Sequence, residues 1–251
     1  MKNLISWGAT LGLIASTIFF NGVSLMRPAF ALPQEDVVKL LASIPTFILV
    51  DEKNFPLGGK LDEKTVFTNV FMSRQSAEKI LANLKKEQPD VAGKYKIQLI
   101  SLGAIYEIAQ KNTNSSQRFA LQYIPNQQEV EAAKPILSAN GDQYEGGVPL
   151  YIARGGPEQA YLTIQRNGET ISPVFFEKKT IQSMLDEFKK QQPDLAPTIK
   201  IEVVMLNNLI ATLEQNDDDF MKSIRLWPSE EMFQIIRSSQ QNQGNPQSAP
   251  Q

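Results

Sequence analysis

Two stretches of the chain read almost as one: VFMSRQSAEKILANLKKEQPDVAGKYKIQLISLGAIYEIAQ at Val70–Gln110 and VFFEKKTIQSMLDEFKKQQPDLAPTIKIEVVMLNNLIATLE at Val174–Glu214, aligned without a gap at an offset of 104 residues. Lys85-Lys86 meets Lys189-Lys190, Gln88-Pro89-Asp90-Val91-Ala92 meets Gln192-Pro193-Asp194-Leu195-Ala196, and Leu102 meets Leu206. The same offset carries Ile44-Pro45 onto Val148-Pro149. A duplication of this length makes each copy a structural unit, so elements can be assigned in pairs.

In both copies, the apolar spacing changes from period two to helical and back. Ala77, Ile80, Leu81 and Leu84 recur at i, i+3, i+4 and i+7, as do Ile181, Met184, Leu185 and Phe188, which predicts one apolar stripe on each of two helices. Ser73 is placed to cap the first, whereas Glu177, a poorer cap, stands at the same place in the second. The Lys pairs suit the negative end of the helix dipole, and Pro89 and Pro193 stop further winding. Tyr95–Ile100 and Ile199–Val204 then read as strands, followed by helical stripes at Leu102, Ile105, Tyr106, Ala109 and at Leu206, Leu209, Ile210, Leu213.

Outward from this block, Thr46–Val50 and Leu150–Ala153 read as opening strands. Ala160–Gln165, the Asn167-Gly168 turn and Ile171–Phe176 extend the second copy into a meander. Phe119–Ile124 ends at Pro125 and Ile224–Trp227 ends at Pro228, one residue nearer than the offset requires, so the loop before the second run is shorter. Gln127–Ala133 and Glu230–Ile236 follow as terminal helices, and Gln34–Ala42 as an N-terminal helix against the first half. The expected fold is α+β: two pseudo-symmetric repeats, each a small mixed or antiparallel sheet packed with helices. A unit of this length can be a domain, and a core shared by both halves is equally allowed.

The boundaries drawn from these features are 1–31, 32–140, 141–237 and 238–251. The first segment has Lys2, an apolar run from Leu4 to Phe20 and Ala29-Phe30-Ala31, the pattern of a cleaved export signal; an uncleaved anchor is the alternative. Residues 32–140 hold the N-terminal helix and first repeat, and 141–237 the second. The uncharged Ser-, Gln-, Asn- and Pro-rich tail 238–251 is expected to be disordered or loosely attached.

Composition excludes whole classes of chemistry. The 251 residues include neither His nor Cys. Without imidazole or thiol there is no Ser-His-Asp or Cys-His nucleophile, no zinc finger and no disulfide. A formal net charge of -2 gives no diffuse basic field for nucleic acid. Arg154-Gly155-Gly156 lacks the spacing of a phosphate loop, and Pro157 removes a backbone donor, so it reads as a strand-linking turn. Asp217-Asp218-Asp219 lacks the alternation of a calcium loop and reads as a solvated loop. No catalytic, cofactor or metal residue is therefore assigned.

The order of an export signal, I-P-T-F-I-L-V-D, the first repeat block, GVPLYIARGGPEQAYLTIQRNG at Gly147–Gly168, the second block and I-R-L-W-P-S-E-E resembles the Tic22-like family over nearly all of 34–236. The resemblance implies a non-enzymatic factor of the cyanobacterial periplasm, with the thylakoid lumen the lesser alternative. It implies a chaperone-like role in protein translocation and outer-membrane protein biogenesis. Its partners would be unfolded outer-membrane protein precursors and an Omp85-type outer-membrane pore, with no nucleic acid, no cofactor and no integral membrane span after signal cleavage. From the residues themselves, Phe220, Met221, Trp227 and Phe233 are candidates for an apolar client-binding surface, since Met and aromatic side chains adapt to varied partners. Completion of the second core is the competing reading of the same four. Two other functions stay open at this stage: a periplasmic hydrolase using paired carboxylates, which would need two acids converging in a polar cleft, and a structural envelope adaptor with one folded partner.

Overall fold

The paired periodicities resolve into paired elements. The computed structural model describes residues 11–13, 31–112 and 118–243. The assigned export signal lies outside the described residues except for Ala31 and β1 (Leu11–Leu13), and so does the loop at 113–117. The first copy runs α1 (Gln34–Ala42), β2 (Pro45–Val50), β3 (Gly58–Lys60), β4 (Thr65–Phe71), α2 (Arg74–Glu87), α3 (Pro89–Ala92), β5 (Lys96–Ser101), α4 (Leu102–Lys111), β6 (Arg118–Ile124) and α5 (Gln127–Ala139). The second runs β7 (Pro149–Gly155), β8 (Ala160–Arg166), β9 (Glu169–Phe175), α6 (Lys178–Gln191), a 3-10 turn at Ala196–Thr198, β10 (Lys200–Met205), α7 (Leu206–Leu213), α8 (Asp219–Ser223), β11 (Ile224–Trp227) and α9 (Glu230–Gln243).

Each half builds a mixed sheet of the same plan. β2 pairs antiparallel with β5 and β4, and β6 runs parallel to β4. Correspondingly, β7 pairs antiparallel with β10 and β9, and β11 runs parallel to β9. The register repeats as well: Phe47 opposes Phe71 in one half and Tyr151 opposes Phe175 in the other. The third antiparallel strand differs. β3 is a three-residue strip carrying Gly58 and Gly59, while β8 is a full strand that pairs with β7 and β9 and receives β1 along its other side.

Strand alternation sends the two faces of each sheet into different cores. Ile48, Val50, Val70, Leu150, Ile152 and Val174 meet in one central cluster with Val37 and Leu41 of α1, Leu102 and Ile105 of α4, and Leu206 and Ile210 of α7. The halves therefore share a core. The opposite parity, Phe47, Leu49 and Phe71, joins Ala77 in an outer cluster on the first half. Tyr151, Ala153 and Phe175 join Ile181, Leu185 and Phe188 on the second. Gly103 is what lets α1 dock on α4: a Cβ there would lie 2.5 Å from the Val38 carbonyl oxygen and under 3 Å from the backbone of Ala42.

Contacts between repeat counterparts mark the pseudo-two-fold axis. Gln110 donates to the carboxylate of Glu214, its own counterpart, at 2.9 Å, and Tyr106 donates to the same oxygen at 2.6 Å. Burial and this carboxylate hold the Tyr106 hydroxyl well above the usual phenol range. At the other end of the axis Met72 and Ser73 face Phe176 and Glu177 across one crevice.

The terminal helices are exchanged between halves. α5 leaves the first sheet and packs on β7, β10 and α6, whereas α9 leaves the second sheet and lies against β2, with Ile235 in the first outer cluster. The division drawn at 140 and 141 thus falls between elements that pack across it. Within the tail, 238–243 are not irregular chain, since α9 stays helical through Gln243. The Ser238 and Ser239 hydroxyls both donate to the Ile235 carbonyl, which lets these residues remain helical. Residues 244–251 lie outside the described residues.

Candidate polypeptide-binding surfaces

Pro228 ends β11, and Ser229 starts α9, its hydroxyl accepting from the Met232 amide at 3.4 Å. This sharp exit aims Trp227 and Phe233 into one groove. The indole lies 5.7 Å from the Phe175 ring and 6.4 Å, edge on, from Phe233, with the Arg166 guanidinium 5.4 Å above it. The groove holds about 440 Å³ and is lined by Ile171, Leu226 and Ile236 as well. A second groove of about 430 Å³, lined by Leu32, Leu40, Met221 and Ile224, shares Ser43, Arg225 and Leu226 with the first. Together they form a trough along β11, whose only strand partner among the described residues is β9. Arg225 folds back to donate to the carbonyls of Lys222 and Ile224, taking acceptors that an edge strand would otherwise offer.

The four residues singled out from sequence do not form one surface. Trp227 and Phe233 share the first groove. Phe220 stacks on Tyr161 at 4.4 Å and lines a smaller apolar pocket of about 140 Å³ beneath α8. Met221 is buried in the common core and forms part of the floor of that pocket and of the second groove. The sequence offered no sign of Arg166, which the Asn167-Gly168 turn brings over the indole. Ile80, named in the first apolar stripe, and Leu99, within the Tyr95–Ile100 strand, read from sequence as ordinary core residues.

The crevice on the axis, about 210 Å³, gathers three carboxylates, Glu129, Glu177 and Glu231. Each has a structural partner. Glu129 of α5 accepts from the Lys178 amide at 2.9 Å, and Glu231 of α9 accepts from the Arg74 amide at 3.0 Å. Each exchanged helix thus supplies a carboxylate to the N-terminus of the helix it reaches, where backbone amides are unpaired and the dipole favours negative charge. Glu177 accepts from the Thr180 hydroxyl at 2.7 Å. Burial, aided by the charge of Glu177, raises the Glu129 carboxyl above its ordinary value despite the Lys178 amide. Among the described residues no group of three or more His, Cys, Asp or Glu side chains is arranged to hold a metal ion, and no helix is long and apolar enough to cross a membrane.

The class this defines is a duplicated α+β scaffold of two interlocked repeats with apolar grooves on its surface. The family model of the Tic22-like family matches residues 13–238, and the chain belongs to that family. Its fold is that of two solved structures. One, Tic22 of Anabaena, described as a protein-transport protein, is 24% identical, with a TM-score of 0.73 over 82% of this chain and 97% of that one. The other, Tic22 from Plasmodium falciparum, is 20% identical, with a TM-score of 0.61 over 83% of this chain and 98% of that one. Among curated proteins none matches.

Proposed function

We propose that this protein is a non-enzymatic protein-transport factor that holds non-native polypeptides outside the cytosol. The observation that carries the proposal is the trough along β11. It offers aromatic and aliphatic walls at Trp227, Phe233, Ile236 and Leu40, with charged residues Arg166, Arg225 and Lys39 along its course. Apolar walls set among charges accept varied sequences while the free protein stays in solution. The transport role described for the Anabaena relative and the export-signal pattern at Lys2 to Ala31 support the same reading. On this reading the compartment is the periplasm and the clients are outer-membrane protein precursors, passed toward an Omp85-type pore.

The test is aggregation of an unfolded β-barrel precursor diluted from urea, followed by light scattering. Stoichiometric protein is expected to suppress it, and Phe233→Ala with Ile236→Ser to restore most of the scattering without changing the circular dichroism. Undiminished scattering with the unaltered protein would overturn the proposal. A hydrolase reading has one specific observation behind it, the axial crevice with its raised Glu129. Its carboxylates are already engaged at helix starts, so Glu129→Gln is expected to alter folding stability, and a glycan panel is expected to show no turnover.

A further inference from the structure

The outer faces of the two halves can be compared position by position. In the second half the face is closed: Met184 is 9% exposed and Phe188 2%, and Val203 of β10 packs among them. The lid is α5, whose Ala133 and Leu137 are buried in that cluster and whose Val130, one turn earlier, is buried too. In the first half the counterparts stand open: Ile80 is 37% exposed, Leu84 is half-buried, and Leu99 of β5 is 44% exposed. Leu99 opposes Phe47 across the β2–β5 ladder, so it shares the outer face that α2 covers in part.

One feature of the sequence accounts for the opening. α9 occupies the place of α5, with Pro228 matching Pro125, but Ser239 and Gln240 stand where α5 has Ile136 and Leu137, and both are exposed. The stripe is retained in α2, but the helix that would bury it lacks the side chains to do so.

We infer that the open face between α2 and β5 receives an amphipathic helix from a partner polypeptide, presenting small and aliphatic side chains at i, i+3 and i+7. The duplicated half supplies the template, since Ala133 and Leu137 of α5 close the equivalent face and the buried Val130 continues the same stripe with that spacing. The inference rests on the reading of the protein as a polypeptide binder, and it adds a second site that takes a helix on the far side of the first sheet from the common core.

The probe is a synthetic peptide with the sequence of residues 126–141, titrated into the purified chain carrying labelled Ile, Leu and Met methyl groups. Methyl shifts are expected at Ile80, Leu84 and Leu99. Leu99→Asp, and separately Ile80→Asp, should weaken binding at least about tenfold, as expected when a charge replaces an aliphatic contact. Both positions are partly exposed, so the variants retain the fold, checked by unchanged shifts elsewhere. No shift, or shifts confined to Met184 and Leu185 through displacement of α5, would overturn the inference. So would concentration-dependent self-association abolished by Leu99→Asp without peptide binding, which would give the face to a second copy. Peptide binding without suppression of precursor aggregation would sink the functional proposal and leave the helix site standing; suppression without peptide binding would do the reverse.

Discussion

Phe47 and Tyr151 occupy the same place in the two halves, each fully buried at the start of its central strand, and one hydroxyl separates them. Tyr151 donates to the Glu129 carbonyl at 2.8 Å and so ties α5 to the second sheet, while burial keeps its phenol far above the usual range. Phe47 has no such donor; the Arg74 guanidinium lies 5.2 Å from its ring centre instead. One half has its lid fastened by a hydrogen bond and an aliphatic stripe. The other has a lid that becomes polar after Ile236. A duplication thus preserves the frame of both halves while letting one outer face stay closed and the other open.

The sharpest break of this comparison comes from truncating the matched stripe. Phe188→Ala is expected to cost about 3–5 kcal/mol, as for a buried aromatic, and Leu84→Ala about 1–2 kcal/mol because its site is already partly hydrated. Urea unfolding midpoints of the two variants measure the gap, and equal losses would mean the first outer face is as well packed as the second. Tyr151→Phe makes the second half resemble the first and is expected to cost about 1 kcal/mol, the net worth of one buried hydrogen bond. Faster proteolysis within α5 should accompany it.

Helix starts sharpen the comparison further. Ser73 accepts from the Ser76 amide at 3.2 Å, whereas Glu177 makes no capping bond to the backbone. Ser73→Ala is expected to cost about 1 kcal/mol, and Glu177→Ser to cost nothing or gain a few tenths, measured by thermal unfolding. The smallest effect depends on pH. Because burial in the folded state raises the Glu129 carboxyl above the ordinary glutamate value of 4.5, the native protein binds the proton more tightly than the unfolded chain. Stability from this group is therefore full below that value and is lost as pH rises through the folded value. Melting temperatures of the Glu129→Gln variant should gain on the unaltered protein as pH is raised upward from 4.5, and parallel profiles would show that Glu129 is not the source.

Much of the frame was legible because duplication doubles every signal. The paired stripes, the Gln-Pro-Asp stops and the Pro125 and Pro228 boundaries placed α2 and α6, β5 and β10, and the strands before α5 and α9. β3 was not legible, since Gly58-Gly59 carries neither alternation nor β-branched residues. The exchange of α5 and α9 was hidden for a different reason: periodicity shows that a helix has an apolar face but not which sheet that face meets. The helical state of 238–243 was hidden by composition, because Ser and Gln lower helix propensity only slightly once a helix is already propagating. At the trough, sequence supplied Trp227 and Phe233. It could not supply Arg166, which lies far along the chain, or separate the buried Met221 from a surface residue.

On the proposed reading, polypeptides are gripped on the open side of the first half and along β11, and not on the closed outer face of the second. It is tested most directly by placing a photo-reactive residue singly at positions 99, 233 and 187 and crosslinking in cells that export the protein. Adducts with outer-membrane precursors are expected from positions 99 and 233 and not from position 187, which is exposed on α6 over the closed face. Equal adduct yields from all three positions, or adducts from position 187 alone, would contradict the account.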